Sequence, residues 1–311
     1  MSLSEYVRIL GRGPGRARSL TQDEAFAAMS LMLRDDAVAE AVGAILMLLR
    51  MKGETAQEIA GFAAAAQAAL PAMPQADLDW PSYAAGRTRG APWFLKAAQT
   101  LANDGQRVLL HGWNGADPKV RAGLNDLGIG IAHSAADAPR LLDRDGIAYM
   151  PLEDLHPALF RLLRLRDVLG LRSCVNTVCR MLNPSYASAS VQGVFHPSYR
   201  LLQADAAALL GWANLTIIKG GGGEFECHPS KDIEAFGLRA RRPWQAVLPA
   251  SMTDTRRLSE PSGAELSPRW ASQSADAFEV AIIETTTHAA RGTVAGADPI
   301  ARNAAYEETP P

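Results

Sequence analysis

Four short apolar runs of one form recur in the second part of the chain: RVLLHG (107–112), GIAYMPL (146–152), ASVQGVF (189–195) and LTIIKG (215–220). Each has the length of a strand, and helical patterns such as PKVRAGLNDLG and SYRLLQADAAALLG lie between them. Strands that alternate with helices leave few architectures open, because consecutive parallel strands need a crossover and a helix supplies it. The pattern predicts an α/β fold with a mixed, mostly parallel sheet.

Residues 4–70 read as helices with no strand signal. Thr21 with Glu24, and Thr55 with Glu58, have the spacing of capping boxes. Phe26, Met29 and Leu33 form one helical stripe. The apolar run AVGAILMLL (41–49) stops at Arg50, Gly53 ends that helix, and Pro71 stops the next. This predicts a small all-helical N-terminal domain. A further helix is predicted over HPALFRLLRLRDVLG (156–170), where Pro157 suits the first turn and Gly170 the C-terminal stop. Its Leu159, Leu162, Leu163 and Leu169 can face a core while Arg161, Arg164 and Arg166 point elsewhere.

The chain of 311 residues is 48% hydrophobic, enough for one large domain or a large and a small one. No apolar run has membrane-spanning length, and the first residues, MSLSEYVRIL, lack a signal-peptide core. Cys174, Cys179 and Cys227 are odd in number and lack metal-ligand spacing. They predict a cytoplasmic protein with reduced thiols and no membrane association.

The net charge of −2 taken alone argues against a nucleic-acid partner. The distribution argues otherwise. Residues 251–311 carry five Arg and nine acids, which leaves 26 basic and 24 acidic residues in the first 250. Within that part the arginines cluster. Arg161, Arg164, Arg166, Arg172 and Arg180 face one acid, Asp167, so they cannot all pair locally and a ligand role for some is favoured. Arg12, Arg16 and Arg18 sit in the open segment GRGPGRARS, as phosphate contacts or as a solvated connector. Arg87, Arg89, Trp93 and Lys96 mix cations with an aromatic, a pattern able to stack a base and hold a phosphate, or a surface loop that has drifted. RARRPW (239–244) has the same flavour and reads as a hinge or surface loop. Four glycines, 220–223, follow Lys219; Gly221 and Gly222 could nest an anion, or the run could be a flexible loop. His156, His196 and His228 each precede Pro and suit structural roles; His111 is the histidine placed in a cleft. No nucleophile–base arrangement can be argued from spacing, so no catalytic residue is assigned.

The order of these elements resembles the anthranilate phosphoribosyltransferase superfamily, also called glycosyltransferase family 3, over roughly residues 4–230. LTQDEAFAAM and MKGETAQEIAGF look like its N-terminal helices, LLHG stands at its Lys-His-Gly-Asn, and LHPALFRLLRLRDVLGLRSCVNTVCRMLNPS looks like its His-Pro-Ala helix, Arg turn and Asn-Pro loop. The resemblance implies a helical dimerisation domain formed by 1–72 with 156–184 and an α/β domain formed by 73–155 with 185–311, with a cleft between them and a homodimer through the helices. It also implies that Arg166 matches an arginine that contacts an aromatic acid substrate.

The family joins a base or amine to the ribose of phosphoribosyl pyrophosphate on a Gly-rich loop, an Asn-x-Ser-Thr helix start and a magnesium-holding Asp-Glu pair. This chain departs at each place. WPSYAAGRTRGAPWF follows Asp79, Pro92, Phe94 and Leu95 fall near the helix start, and Phe225 replaces the Asp, which leaves Glu226 as the residual metal candidate. These departures resemble a divergent, YbiB-type branch associated with nucleic-acid binding through a basic groove. The resulting expectation is sequence-independent binding of DNA or RNA, with no cofactor and no anthranilate phosphoribosyltransferase activity. The alternative is a glycosyl or phosphoribosyl transferase with an altered donor or acceptor, which would require magnesium.

Overall fold

The computed structural model describes residues 2–84, 90–114, 118–253 and 277–297. Arg87 and Arg89 lie outside the described residues.

The chain opens with α1 (Leu3–Gly11), α2 (Gln22–Met32), α3 (Ala39–Lys52) and α4 (Ala56–Ala68). Both predicted capping boxes form, Thr21 with Glu24 and Thr55 with Glu58. The second box is also a tertiary anchor. Glu58 is buried and accepts from the Leu20 and Thr55 N–H groups at 2.9 and 2.8 Å and from Lys52 Nζ at 2.8 Å. It thereby ties the start of α4 to the segment that leads into α2.

The remaining elements are β1 (Leu78–Ser82), α5 (Trp93–Asn103), β2 (Val108–Gly112), α6 (Lys119–Asp126), α7 (Asp137–Asp145), β3 (Ile147–Pro151), α8 (Leu152–Leu155), α9 (Pro157–Leu169), α10 (Val175–Arg180), β4 (Ala189–Val194), α11 (Tyr199–Leu209), β5 (Asn214–Lys219), β6 (Ile233–Arg239), β7 (Arg242–Leu248) and α12 (Ala277–Val294). The strands form one sheet in the order β3-β2-β1-β4-β5-β6-β7. The first four pairings in that order, from β3 through β5, are parallel, whereas the last two, β5 with β6 and β6 with β7, are antiparallel. The four strands read from sequence are found within a residue or so of their expected bounds.

The segment RARRPW is not a free loop. It is the hairpin between β6 and β7, and the Arg239 guanidinium lies 3.8 Å from the centroid of the Trp244 ring. β1, an interior strand that carries Pro81, lies outside the four runs predicted as strands.

Side-chain alternation divides the sheet's two faces between two cores. Leu215 and Ile217 join the cluster that contains α1–α4, α9 and α10, whereas Ile218, Val191 and Ala189 join the one that contains α5 and α12. Helix α9 starts on Pro157 and stops at Gly170 in the left-handed conformation, as predicted. His156 caps it by accepting from the Leu159 N–H at 3.3 Å, while Nε2 meets the Ala66 carbonyl at 3.1 Å. Helices α9 and α10 therefore sit against α4 on the helical side. Cys174, Cys179 and Cys227 are all free and buried. Among the described residues, no helix is long and apolar enough to cross a membrane.

Helices α2 and α4 cross closely at Gly61. A Cβ there would lie 2.2 Å from the Gln22 carbonyl oxygen and 2.7 Å from Ala25 Cβ. Alanine in a helix interior ordinarily gains about 1 kcal/mol over glycine. Overpacking against backbone costs about 1–3 kcal/mol, so the clash wins. Gly61→Ala is therefore expected to lower stability in urea unfolding; a neutral or stabilising result would show that α2 and α4 can move apart freely.

Candidate anion-binding cleft

The C-terminal ends of parallel strands, next to the point where strand order reverses, are where open α/β sheets place ligands. Here that point lies between β1 and β4. Beyond the end of β4 is a cavity of about 310 Å³. Four arginines line it: Arg50 from α3, Arg166 from the last turn of α9, Arg172 from the following loop and Arg180 from α10. Phe195, His196, Tyr199 and Gln203 also line it, and among the described residues no carboxylate belongs to the lining. Arg50 Nη1 donates to the Arg172 carbonyl at 2.7 Å, and Arg172 Nη2 reaches the Ala84 carbonyl at 3.4 Å. Arg180 is buried; its Nε donates to the Gly193 carbonyl at 3.1 Å and its Nη1 to the Asn176 carbonyl at 3.2 Å. Burial pulls its pKa below the usual guanidinium value, and nearby Glu224 opposes that shift. Glu54 adjoins the wall. Burial raises its carboxyl, and burial together with Glu54 raises the Tyr199 hydroxyl.

Arg166, Arg172 and Arg180, all singled out from sequence, are brought together. The other described candidates are not. Arg161 donates to Asp35 and to the Leu33 and Arg34 carbonyls, and Arg164 pairs with Asp167 at 2.7 Å. Arg12, Arg16 and Arg18 are exposed, and Arg18 holds Glu24 through two hydrogen bonds of 2.6 and 2.7 Å. Lys96 donates to Gln99 at 3.0 Å on α5. Lys219 is exposed at the end of β5, outside the cavity lining.

His111 is not among the residues that line the cavity. It is fully buried between β1 and β2, with Nε2 3.0 Å from Asp79 Oδ1 and Nδ1 2.8 Å from the Tyr83 hydroxyl. A carboxylate only accepts, so Nε2–H donates to Asp79, while Nδ1 and the Tyr83 hydroxyl share a hydrogen bond. Ser190 donates to the other Asp79 oxygen at 2.7 Å. This histidine ties β2 to β1 and is buried away from the cavity lining.

The glycine run also serves structure. Gly221–Gly223 form a single 3₁₀ turn, with Gly222 at φ 65°. The Gly221 N–H donates to the Glu226 carbonyl at 3.2 Å and the Gly223 N–H to the Gly220 carbonyl at 3.2 Å, which removes the donor an anion nest at Gly221 needs. A Cβ at Gly220 would lie 1.5 Å from the Glu224 carbonyl oxygen, so close backbone approach requires glycine there.

The two acids after the run turn inward. Glu224 Oε1 accepts from Ser82 Oγ at 3.0 Å and the Ala84 N–H at 2.9 Å, and Glu226 Oε1 accepts from the Phe94 N–H at 3.2 Å in the first turn of α5. Each is 1% exposed. Burial raises the Glu224 carboxyl and raises that of Glu226 strongly. Magnesium needs ionised oxygens open to it. Buried carboxyls pushed toward the neutral form do not fit it, so Glu226 is a poor residual metal ligand. Among the described residues no cluster of three or more His, Cys, Asp or Glu side chains could hold a metal.

The helical-bundle domain of a glycosyl transferase family matches residues 4–69. The anthranilate phosphoribosyltransferase of a Roseiflexus species is 34% identical over 215 residues, 67% of this chain and 62% of that protein. The Bacillus caldotenax protein of that description is 27% identical over 226 residues, 71% of this chain and 93% of its own. The Thermus thermophilus anthranilate phosphoribosyltransferase superposes with a TM-score of 0.78 at 19% identity, covering 95% of this chain and 90% of that one. The chain belongs to the anthranilate phosphoribosyltransferase superfamily, glycosyltransferase family 3. The Saccharomyces cerevisiae member, solved with phosphoribosyl pyrophosphate and magnesium, superposes with a TM-score of 0.75 at 18% identity, covering 96% of this chain and 89% of that one.

Sequence reasoning passed over Arg50, Asn176, Phe195, Tyr199 and Gln203. Arg50 looked like an ordinary cation at a helix end. Phe195 had a usable signal: an aromatic just past the end of a parallel strand.

A buried acid with a raised folded-state pKa stabilises the fold below its unfolded pKa and loses that contribution as pH rises toward the folded value. Glu226→Gln keeps the acceptor for Phe94 and cannot ionise. Its stability relative to the parent should therefore rise from pH 5 to pH 8 in urea unfolding. A pH-independent difference would contradict the burial argument.

Proposed function

We propose that this family member binds polyanions, nucleic acid foremost, through its arginine-lined cleft and without reading sequence. The observation that carries the reading is the cavity whose lining, among the described residues, holds four arginines and no carboxylate. Guanidinium forks match phosphate oxygens, and such contacts position a strand without specifying bases. The reading places the chain with the YbiB-type branch, whose phosphoribosyl pyrophosphate motifs are degenerate. It takes no cofactor and works in the reducing cytoplasm, in keeping with three buried free thiols. Pairing of two copies through the helical side would join two clefts into one longer basic track.

The transferase alternative draws on the family and on the yeast relative's bound phosphoribosyl pyrophosphate and magnesium. Weighing against it, Ser82, Ala84 and Phe94, near the places where the family holds phosphate groups, are engaged by the chain's own carboxyls.

Affinity for an oligonucleotide should fall linearly with salt on a log–log plot. Arg166→Ala/Arg172→Ala should weaken binding and reduce the slope by about two, one per lost phosphate contact. Arg161→Ala/Arg164→Ala, whose side chains pair elsewhere, should keep the parental slope. Anisotropy titrations check both. Absence of binding at low salt would sink the reading, and calorimetric binding of phosphoribosyl pyrophosphate with magnesium would favour the transferase.

A further inference from the structure

The cleft is built for more than charge. Phe195 is 40% exposed on the cavity wall, with His196 edge-on to it at 5.0 Å. Gln203, also lining the cavity, is only 1% exposed, yet its Oε1 has no partner among the described residues. A buried acceptor without a donor is unfavourable, and a ligand N–H would remove that penalty. Asn176 and Thr177 add further polar edges. An exposed flat ring, an orphaned amide oxygen and a ring of guanidiniums together suit a planar heterocycle carrying N–H groups and attached to phosphate.

We infer that the cavity receives one unstacked nucleobase of a single strand, with Phe195 stacking on the base, Gln203 accepting from its edge, and Arg50, Arg166 and Arg172 on the flanking phosphates. This rests on the polyanion reading above and narrows its ligand to single-stranded nucleic acid. The size of the space supports the narrowing. At about 310 Å³ the cavity is near the lower end of ligand pockets, roughly 300–1,000 Å³, and has room for a base but not a duplex. Bases in a duplex are stacked on both faces, so an aromatic wall inside a cavity can meet only a splayed base. Gln203 faces a similar limit, because the edge it would accept from is engaged in pairing within a duplex.

The test compares a single-stranded oligonucleotide, the same strand with one abasic residue at each position in turn, and a blunt hairpin duplex. Each is titrated by anisotropy against the parent, Phe195→Ala, Phe195→Leu and Phe195→Trp. Phe195→Ala should weaken single-strand binding on the order of tenfold, the usual effect of losing one stacked base, and weaken duplex binding several-fold less. Phe195→Leu keeps the bulk without the flat face and should behave like Phe195→Ala, whereas Phe195→Trp should restore binding. The salt slope for the single strand should stay parental, since no phosphate contact is removed. At least one abasic substitution should weaken the parent as Phe195→Ala does, with no further loss when the two are combined. Equal losses on single strand and duplex, or none on either, would overturn base insertion while leaving polyanion binding intact. Failure of the parent to bind any of the oligonucleotides at low salt would overturn both.

Discussion

The inward turn of Glu224 and Glu226 is the constraint around which the α/β domain closes. Two carboxyls from one short segment reach β1 through Ser82 and Ala84 and the start of α5 through Phe94. The segment can do so only because glycine lets the backbones touch. A Cβ at Gly193 would lie 2.0 Å from the Glu224 carbonyl carbon, and one at Gly220 is excluded even more strongly. Phe225, between the two acids, packs edge-on to Trp80 at 5.6 Å and completes the seal. Ionising a buried carboxyl costs several kcal/mol without a paired charge, so the fold holds these groups toward the neutral form. They serve as hydrogen-bond partners of the backbone, and the ends of β1 and α5 are satisfied from within.

With those donors engaged, the arginines around the cavity beyond β4 are the groups left to hold the anion proposed above. Arg166 and Arg172 bracket the stop of α9 at Gly170, and Arg50 comes from the facing end of α3. Their cation character differs from that of Arg161 or Arg164. Those two make ordinary surface pairs, each contributing about 0–1 kcal/mol and easily screened. The cavity arginines instead line one concavity, with Glu54 beside its wall and Glu224 near Arg180. The sequence count of five arginines against one acid captured this excess, but not its geometry, because Arg161 found Asp35 across the helical bundle.

Much of the architecture was legible because it follows from local rules. The capping boxes at Thr21 and Thr55, the Pro157 start and Gly170 stop of α9, and four of the strands depend on neighbours within a few residues. What escaped depends on long-range partners. β1 carries Pro81 yet is an interior strand of the sheet, a place where proline is unusual. His111 read as a cleft residue because its role is set by Asp79 and Tyr83, 32 and 28 residues away. RARRPW read as a basic loop because the stacking of Arg239 on Trp244 exists only once the hairpin has formed. Gln203 gave no signal at all: a glutamine inside an Ala-rich helix becomes notable only when the cavity beside it is known.

The net charge of −2 and a basic cleft are compatible, because a ligand responds to local charge. Screening confines exposed charges to a reach of about 8 Å at physiological ionic strength. The acidic excess lies in residues 251–311, whereas Arg50, Arg166, Arg172 and Arg180 converge on one cavity. Low net charge then has its own consequence. It removes the long-range attraction that a uniformly basic surface exerts on any phosphate backbone, so the binding proposed above would depend on entry into the cleft itself.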